Sequence, residues 1–484
     1  MAGSPGTKQS MGVTGVALLM ALVACAPRFD IAQVQPEGGL VGQSQPRTDT
    51  VPSGAPTAVL PTNPGGTGGP ASTGVAVPPV STGKGARVTG GVIKVGGLFP
   101  LSGGLSSLGK PAYEGAQAYF NWINDHGGVR GKKIQFITCD DQADDTRSTT
   151  CAKRLVEQDG VFVMGPSFTP FSLTVIGQLE KAGVPWVGFD GINVEGFDAS
   201  NVVTVGAPIE TMAHALLPYW HDKIERKTGK APSKIGAVVL DSAPAKTYVN
   251  EANAVICPKL GCEIVPRSGD RVGEEVTYTT LDYGSICRNM QNRRVDAVWI
   301  VTDPASAIKL LVACQGIGYK PPAGFLGQHG IYMDITLEQS GPFADGIYAN
   351  GAVLPEDVEG AATREMKKVI TTYYPEASFG YFTQLSYASA QMTVDLIDDI
   401  LAAGADLTRT AIIAAARARG SYSCNGLCKS VSLAPPASRS GGNHNIWIVR
   451  SDYSSGKGRW VYEAGPIDAF RVRTWPCPGK PRPC

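Results

Sequence analysis

Short polar segments follow several predicted strands of this chain, and their residue types suit the binding of a small ligand. Hydroxyl groups, backbone N–H groups and helix N-termini can hold an anion without a formal countercharge. Loops at the carboxyl ends of parallel strands are the usual ligand-binding edge of an open α/β sheet. The alternative is that these are ordinary turn and N-cap residues. The candidate ligand-binding residues are Ser106, Ser107, Ser167, Phe168, Thr169, Asp190, Gly191, Asn193, Ser242, Asp303 and His329.

Motifs of catalysis are missing from the sequence. None of its five histidines has HExxH spacing, and no nucleophile elbow, P-loop or strand-following G-x-G-x-x-G occurs. A metal interpretation of Cys424 and Cys428 lacks a second ligand pair nearby. We therefore predict a protein that is not an enzyme, with no catalytic residues, no metal and no cofactor.

The opening of the folded body indicates a βαβ unit. A β-branched strand around Val92–Val95 leads into a Gly/Ser-rich loop, predicted to run from residue 101 to 109. Apolar residues at helical spacing follow, with Pro111 in the expected first turn and Gly127 as part of the stop. A second strand is expected over Ile134–Thr138.

Two series of alternating strands and helices extend this pattern, the second beginning near Ile209. Strands and helices of these lengths predict parallel sheets that are covered on both faces. Three helices over about 360–419 and a late hairpin over about 445–462 follow the second series. The expected class is α/β, with two lobes.

Charge and cysteine content indicate which partners and which cellular compartment to expect for this protein. The 484 residues include 43 basic and 42 acidic side chains, a balance that does not favour nucleic acid as a partner. Eleven cysteines favour an oxidising compartment. Ten of them form neighbouring pairs in the sequence, which predicts the disulfides Cys139–Cys151, Cys257–Cys262, Cys287–Cys314, Cys424–Cys428 and Cys477–Cys484.

The first 25 residues have the features of a secretion signal. Its apolar stretch is too short to span a bilayer, and Leu22-Val23-Ala24-Cys25 resembles the bacterial lipobox. This predicts lipidation of Cys25; a cleaved signal with a chance cysteine is the alternative. Residues 26–89 are rich in Pro, Gly, Thr and Ser, which predicts a disordered tether.

Several motifs together resemble one protein family. They are Leu98-Phe99-Pro100-Leu101-Ser102-Gly103, Glu114-Gly115-Ala116, the segment from Asn124 to Lys132, Cys139-Asp140-Asp141-Gln142 and Gly165-Pro166-Ser167. This set resembles the branched-chain amino acid (Leu/Ile/Val) type of ABC transporter substrate-binding lipoprotein, which has the type I periplasmic-binding-protein fold. The resemblance covers about residues 90–466.

The resemblance implies two Rossmann-like lobes with parallel central sheets, joined by a three-strand hinge. The first lobe would comprise 90–207 and 354–436, and the second 208–353 and 437–466. Hinges are expected near Gly206, near Ala352 and before Asn443, and residues 467–484 would form a basic, cysteine-containing tail.

The ligand residues of the family match this chain unevenly. In the family, the loop corresponding to Ser167–Thr169 holds the ligand's carboxylate, and Asp190–Asn193 and Ser106-Ser107 face the same cleft. Gln328-His329 stands where amino-acid binders carry an acid for the ammonium group, and Leu108 stands where a stacking tyrosine is common. Asp303 is a substitute source of negative charge. These departures favour a small polar or carboxylated solute, namely an amino acid, an amide or an organic acid.

The function implied is that of an extracytoplasmic receptor for a small-molecule solute. Its partners would be the permease and ATPase subunits of an ABC importer, with no nucleic acid. The protein would be a monomer, lipid-anchored to the outer face of the bacterial cytoplasmic membrane. A sensor domain that signals to a membrane receptor or kinase, or an enzyme, remains an alternative.

Overall fold

The structure, a computed structural model, describes residues 87–268, 271–433 and 442–469. The predicted signal peptide with Cys25, nearly all of the predicted tether and the predicted Cys477–Cys484 disulfide lie outside these residues. No helix of the described residues is both long enough and apolar enough to cross a membrane.

The described residues form seventeen strands, twelve α-helices and five short 3₁₀- or π-helical segments. The strands are β1 Val92–Phe99, β2 Lys133–Asp140, β3 Val163–Met164, β4 Trp186–Val187, β5 Val202–Val203, β6 Lys234–Leu240, β7 Glu263–Val265, β8 Arg267–Ser268, β9 Arg271–Val272, β10 Glu274–Val276, β11 Ala297–Val301, β12 Phe325–Leu326, β13 Tyr348–Gly351, β14 Ser421–Tyr422, β15 Val431–Ser432, β16 Asn445–Asp452 and β17 Arg459–Asp468. The helices are α1 Ser106–Asp125, α2 Asp145–Glu157, α3 Ser172–Ala182, α4 Ile209–Thr228, α5 Ala243–Glu251, α6 Cys257–Leu260, α7 Tyr283–Asn292, α8 Pro304–Gly316, α9 Asp334–Ser340, α10 Ala361–Tyr373, α11 Tyr381–Ala402 and α12 Arg409–Arg419.

The first lobe is built on a parallel sheet with the strand order β2-β1-β3-β4-β5. Helix α1 packs against α10 and α11, so two distant stretches of chain form one lobe. Arg409 at the start of α12 is fully buried, and its guanidinium donates hydrogen bonds to the carbonyls of Phe162 (3.1 Å), Val161 (2.8 Å) and Ala182 (3.3 Å). These bonds attach the late helix to segments that flank β3 and β4.

The second lobe is built on a mixed sheet. Strands β10-β6-β11-β12-β13 are parallel, β7 also pairs with β6, and β16 and β17 continue the sheet as an antiparallel hairpin. The predicted fold class, an α/β protein with parallel sheets of the type I periplasmic-binding-protein kind, is confirmed. The predicted late hairpin is present and is longer than the sequence pattern indicated.

Three crossovers connect the two lobes, and Asn443 joins them. The side-chain amide of this fully buried residue donates to the carbonyl of Val205 (2.9 Å) in the first crossover and to that of Ala352 (2.8 Å) in the second. Its backbone N–H donates to Gly206 at 3.4 Å. Asn443 itself belongs to the third crossover, so one residue ties all three together at the positions where hinges are expected.

The described residues begin with Arg87, which pairs with Asp406 at 2.8 Å, and Val88 donates a backbone hydrogen bond to Leu407 (3.0 Å). These contacts lie close to the predicted start of the folded body at residue 90. The loop expected over 101–109 is shorter than predicted, because α1 begins at Ser106. Pro111 therefore lies in the second turn of α1 and not in the first.

Several short elements differ from the sequence pattern. Strand β4 has only two residues, although an apolar run extends from Val184 to Phe189. The hairpin β8–β9 and the hairpin β14–β15 were not predicted, because each of their strands has two residues and no measurable alternation. Such pairs are formed by their tertiary surroundings and leave no periodic signal.

Four disulfides occur in the described residues, and each joins a predicted pair. They are Cys139–Cys151, Cys257–Cys262, Cys287–Cys314 and Cys424–Cys428. The third links α7 to α8 and closes the longest loop, with a sequence separation of 27 residues. Cys424–Cys428 closes a loop of only 4 residues, which leaves these cysteines unavailable as metal ligands.

Candidate functional site

A cavity of about 540 Å³, with open solvent at its mouth included, lies between the two lobes at the ends of the strands. Its walls are mostly aliphatic and aromatic. The first lobe and the start of α4 contribute Leu105, Leu108, Phe168, Pro170, Ile192, Ile209 and Phe382. The second lobe contributes Leu240, Ser242, Pro244, Ala245, Tyr248, Tyr278, Val301, Thr302, Asp303, Gln328, His329 and Gly330.

The two lobes touch across this cavity. The ring of Tyr278, which follows β10, lies against Gly104 in the loop after β1; a Cβ atom on that glycine would lie 2.7 Å from Cδ1 of the ring and nearer still to Cγ. Phe382 of the first lobe also meets the second lobe, since its ring is 6.0 Å from the His329 ring, and within the first lobe it packs against the Phe168 ring at 4.5 Å. These contacts describe a closed conformation.

Asp303 supplies the carboxylate of the cavity. It is 2% exposed and caps α8, with Oδ1 accepting the backbone N–H of Ser306 at 3.1 Å. Among the described residues, the other oxygen, Oδ2, is buried and has no hydrogen-bond partner. Burial raises the pKa of Asp303 above its ordinary value, because its charged form is poorly solvated there. A hydrogen-bond donor on a ligand would satisfy Oδ2.

His329 lies at the back of the cavity among aromatic rings. It is 7% exposed, and its ring contacts those of Tyr248 (5.8 Å) and Tyr381 (5.7 Å) edge to face. Burial lowers the pKa of His329 to about 3, so the ring is neutral at pH 7. Its Nδ1 atom has no hydrogen-bond partner within the part of the chain that the structure describes. The sequence left open whether His329 is neutral or cationic, and its burial favours the neutral form.

A second, narrower gap, with no room for a water molecule, adjoins the cavity at His329. Gly191 and Asp190 line it together with Tyr381, while Ile192, Ile209 and His329 border both spaces. Gly191 has a φ of +81°, and a Cβ atom there would lie 2.6 Å from the carbonyl oxygen of Ala207. Any residue larger than glycine at position 191 would therefore clash with the backbone of the first crossover.

The loop after β3 uses its own donors internally. Asp190 accepts the N–H of Thr169 (2.9 Å) and that of Ile192 (3.0 Å), and burial raises the pKa of this carboxyl to about 7. Ser167 donates its hydroxyl to Gly165 and accepts from Leu98. In this conformation Asp190 therefore occupies the anion-holding role that the resemblance gave to a ligand carboxylate. Of the three predicted residues in this loop, only Phe168 lines the cavity.

The other predicted site residues divide into two groups. Ser242 lines the cavity and caps α5, accepting the N–H of Ala245 at 3.4 Å. Ser106, Ser107 and Asn193 are not part of the lining. Ser106 donates to Gly103 (2.9 Å), and Asn193 donates to Pro170 and Ser172, so both hold loop structure. Ser106 and Asn193 thus act as the turn residues that the sequence offered as the alternative, whereas the buried Ser107 hydroxyl has no partner among the described residues.

Sequence reasoning missed most of the aromatic and apolar residues that line the cavity, among them Leu105, Tyr248, Tyr278 and Phe382. Phe382 is in α11, more than two hundred residues after Phe168, and no local pattern indicates that their rings meet. Tyr278 lies in an irregular segment that carries no periodic signal. Leu105 was detectable, because Leu105, Leu108, Ala112 and Ala116 continue the buried helical face toward the N-terminus.

The described residues contain no group of three or more His, Cys, Asp or Glu side chains that could hold a metal ion.

The side chain of Gln328 already has hydrogen-bond partners within the protein. Its amide donates to the carbonyl of Thr302 at 2.8 Å, and its oxygen accepts from the N–H of Gly330. It therefore joins the loops after β11 and β12. Three lining residues have a buried polar atom without a partner among the described residues, namely Oδ2 of Asp303, Nδ1 of His329 and the hydroxyl of Tyr248.

Two lobes with parallel sheets, three crossovers and an enclosed cleft define a two-lobed binding protein. The chain belongs to the periplasmic binding protein family, whose sequence model matches residues 92–458. Its similarity to curated relatives is more limited. It is 25% identical over 264 residues to Leu/Ile/Val-binding protein homolog 8 of Brucella abortus, and that match covers 53% of this chain and 63% of the relative. The match therefore spans less than two thirds of the relative's length.

Solved structures share the fold over most of the chain. A fatty acid ABC transporter substrate-binding protein from Thermomonospora curvata has a TM-score of 0.66 at 20% identity, covering 82% of this chain and 97% of that one. A solute-binding protein of an ABC transporter from Rhodopseudomonas palustris BisB5, in complex with 3,4-dihydroxybenzoic acid, has a TM-score of 0.62 at 19% identity, with 78% and 98% covered. The leucine-binding protein LivK from Thermotoga maritima also has 0.62, at 16% identity, with 77% and 98% covered.

Proposed function

We propose that this protein is an extracytoplasmic receptor that closes over a small solute and delivers it to the permease and ATPase subunits of an ABC importer. The observation that carries this proposal is the cavity, whose walls come from both lobes. A solute that contacts both walls binds the closed form more tightly than the open form and shifts the population toward it. A membrane partner can then distinguish the loaded receptor from the empty one.

The lining of the cavity supports a small organic solute. Its walls are mainly apolar with a few placed polar groups, as in ordinary small-molecule sites. The similar structures named above carry a fatty acid, an aromatic acid and leucine in their titles. Their variety supports small-solute binding in general and does not select one solute for this chain.

The proposed location of the receptor rests on the predicted signal peptide and tether in the first part of the sequence. Lipidation of Cys25 would anchor it to the outer face of the cytoplasmic membrane, and residues 26–86 would let the folded body reach a permease. In this arrangement the receptor acts as a monomer. Radiolabelled palmitate incorporation into the full chain, compared with Cys25→Ala, tests the anchor.

Native mass spectrometry of the full-length protein, followed by identification of any co-purified solute, tests the proposed function directly. We expect one bound solute per chain and a higher melting temperature when that solute is added back. A strain without the gene should then lose uptake of the same solute and regain it on complementation. Normal uptake in that strain, with binding intact, would support the sensor alternative instead.

A further inference from the structure

The cavity combines apolar walls with a single acidic group. Leu105, Leu108 and Phe168 line one side and Leu240 and Tyr248 the other. Around the cavity, the described residues include no Lys or Arg, and His329 is neutral. A bound anion would therefore meet the Asp303 carboxylate in poorly solvated surroundings with no cation to offset it.

One carboxylate oxygen of Asp303 also lacks a hydrogen-bond donor among the described residues. Oδ1 is committed to Ser306, whereas Oδ2 is buried and without a donor among the described residues. A buried acceptor without a partner is costly, and a donor supplied by a ligand removes this cost on binding. His329 Nδ1 is a second unpaired atom on the same wall, and a neutral imidazole nitrogen can donate or accept according to its tautomer.

We propose that the receptor selects a mainly apolar solute that carries a hydrogen-bond donor but no carboxylate, and that Asp303 Oδ2 and His329 Nδ1 are the atoms that select it. This inference rests on the proposed function and specifies its ligand. Of the solute types expected from sequence, amides fit this cavity, while amino acids and organic acids do not. Alcohols, phenols and amines on an apolar body belong to the selected class as well.

The loop after β3 adds an independent reason to exclude carboxylates. Asp190 already takes the backbone N–H of Thr169, and Ser167 bonds to Gly165 and Leu98. An incoming carboxylate would have to displace the Asp190 carboxylate from those donors. Because Asp190 is buried and would lose its partners, that exchange is unfavourable.

Two matched compound series on the full-length protein test this inference. The first is 1-hexanol, hexanamide, hexylamine and hexanoate; the second is benzyl alcohol, benzamide, benzylamine and benzoate, with phenylalanine and leucine added. Thermal shift and calorimetry at pH 7.5 should show that at least one donor-bearing compound in a series binds at least tenfold more tightly than the carboxylate of that series. Tighter binding of a carboxylate, or a carboxylated co-purified solute, would overturn the inference and leave the receptor function intact.

Asp303→Asn provides the sharper comparison. An asparagine can keep the cap of α8 through its oxygen, while its NH₂ group replaces the free acceptor with a donor. The variant should bind donor-bearing solutes at least tenfold more weakly and gain affinity for the carboxylates. Asp282→Asn is the matched control, because Asp282 caps α7 in the same way, accepting the N–H of Ser285 at 3.0 Å, outside the cavity lining.

Every other result with these variants either supports or overturns the proposed ligand selection. Unchanged selectivity in Asp303→Asn would overturn the role of this carboxylate, whereas loss of selectivity in Asp282→Asn would show that capping alone explains the effect and would overturn it too. If Asp303→Asn does not fold, the wild-type series still decides the ligand class. Absence of any bound solute, by both mass spectrometry and thermal shift, would overturn the proposed function itself.

Discussion

The aromatic ring of Tyr278 in the second lobe lies directly against Gly104 in the first lobe, with no room for a side chain between them. This contact borders the cavity, since Tyr278 also lines it. Closure therefore depends on the smallest residue at this position. The loop after β1, which identifies the family most clearly, is also the surface on which the second lobe closes.

Gly104→Leu should hold the cleft partly open. The added side chain must displace the Tyr278 ring, and overpacking of this kind costs about 1–3 kcal/mol. We expect the affinity for the co-purified solute to fall about tenfold or more, measured by calorimetry. Gly177→Leu on α3 is the control, because a Cβ atom there meets open space. Equal affinity of the two variants would show that the Tyr278–Gly104 contact is not required for closure.

Asn443→Ala should weaken the hinge. The substitution leaves the buried carbonyls of Val205 and Ala352 without a shared donor, which should lower the free energy of unfolding by about 2 kcal/mol or more. It should also broaden the distribution of distances between fluorophores placed on the two lobes. Asn201→Ala is the control, since Asn201 donates one bond to Val184 (3.1 Å) within the first lobe. A narrow, unchanged distance distribution in Asn443→Ala would contradict the role of this residue at the hinge.

His329→Gln should reduce the dependence of the free energy of unfolding on pH below about pH 6.5. Burial lowers the folded-state pKa of His329 to about 3, against 6.5 for the ordinary group, so between these values only the unfolded chain binds the proton. Wild-type stability should therefore fall as the pH drops from 6.5 toward 3, by up to about 1.4 kcal/mol per pH unit from this residue alone. Urea titrations at pH 7 and pH 5 measure the difference.

The control for this experiment is His126→Gln, because His126 is exposed at the end of α1. Asp190 acts with the opposite sign: burial raises its pKa to about 7, so its stabilising contribution is present at low pH and is lost as the pH rises through 7. The informative quantity is therefore the difference between wild type and His329→Gln at each pH. A constant difference from pH 7 to pH 5 would refute the buried neutral histidine.

Replacing Cys287 and Cys314 by serine should destabilise the second lobe more than the same change at Cys424 and Cys428 destabilises the first. The chain-entropy relation gives about 3.5 kcal/mol for a loop of 27 residues and about 2 kcal/mol for one of 4. Denaturant unfolding of the two double variants, with equal protein and no reductant, compares them directly. A larger loss for the shorter loop would show that packing around the sulfurs, and not loop length, sets the cost.

The sequence was sufficient for the fold class, for the long helices and for the four described disulfides. The three helices predicted over about 360–419 are present as α10, α11 and α12, and the apolar face of α11 extends over six turns. Strands such as β4 were overestimated, since a buried apolar run has no alternation that marks where pairing ends. Local patterns thus located the elements and gave their type, but not all of their ends.

The site was predictable only in part. Asp303, Ser242, Phe168 and His329 line the cavity, and each follows a strand in the sequence. Thr169 donates its N–H to Asp190 in the next loop, 21 positions away, and Ser167 bonds to Gly165 and Leu98, so neither residue lines the cavity. The aromatic partners Phe382 and Tyr278 come from distant stretches of chain, so their positions required the tertiary structure.

The guanidinium of Arg409 bonds to carbonyls that precede it in the chain by 227 to 248 residues. The sheet of the second lobe likewise needs β16 beside β13, a pairing that joins residues near 350 to residues near 450. Neither lobe is thus contained in a contiguous stretch of the polypeptide, and a nascent chain that stops before Arg409 has two unfinished cores. Contacts this distant slow folding, because the intervening chain must first be ordered. The order of synthesis therefore cannot serve as the order of folding, and the two lobes mature together once nearly all of the chain has been made.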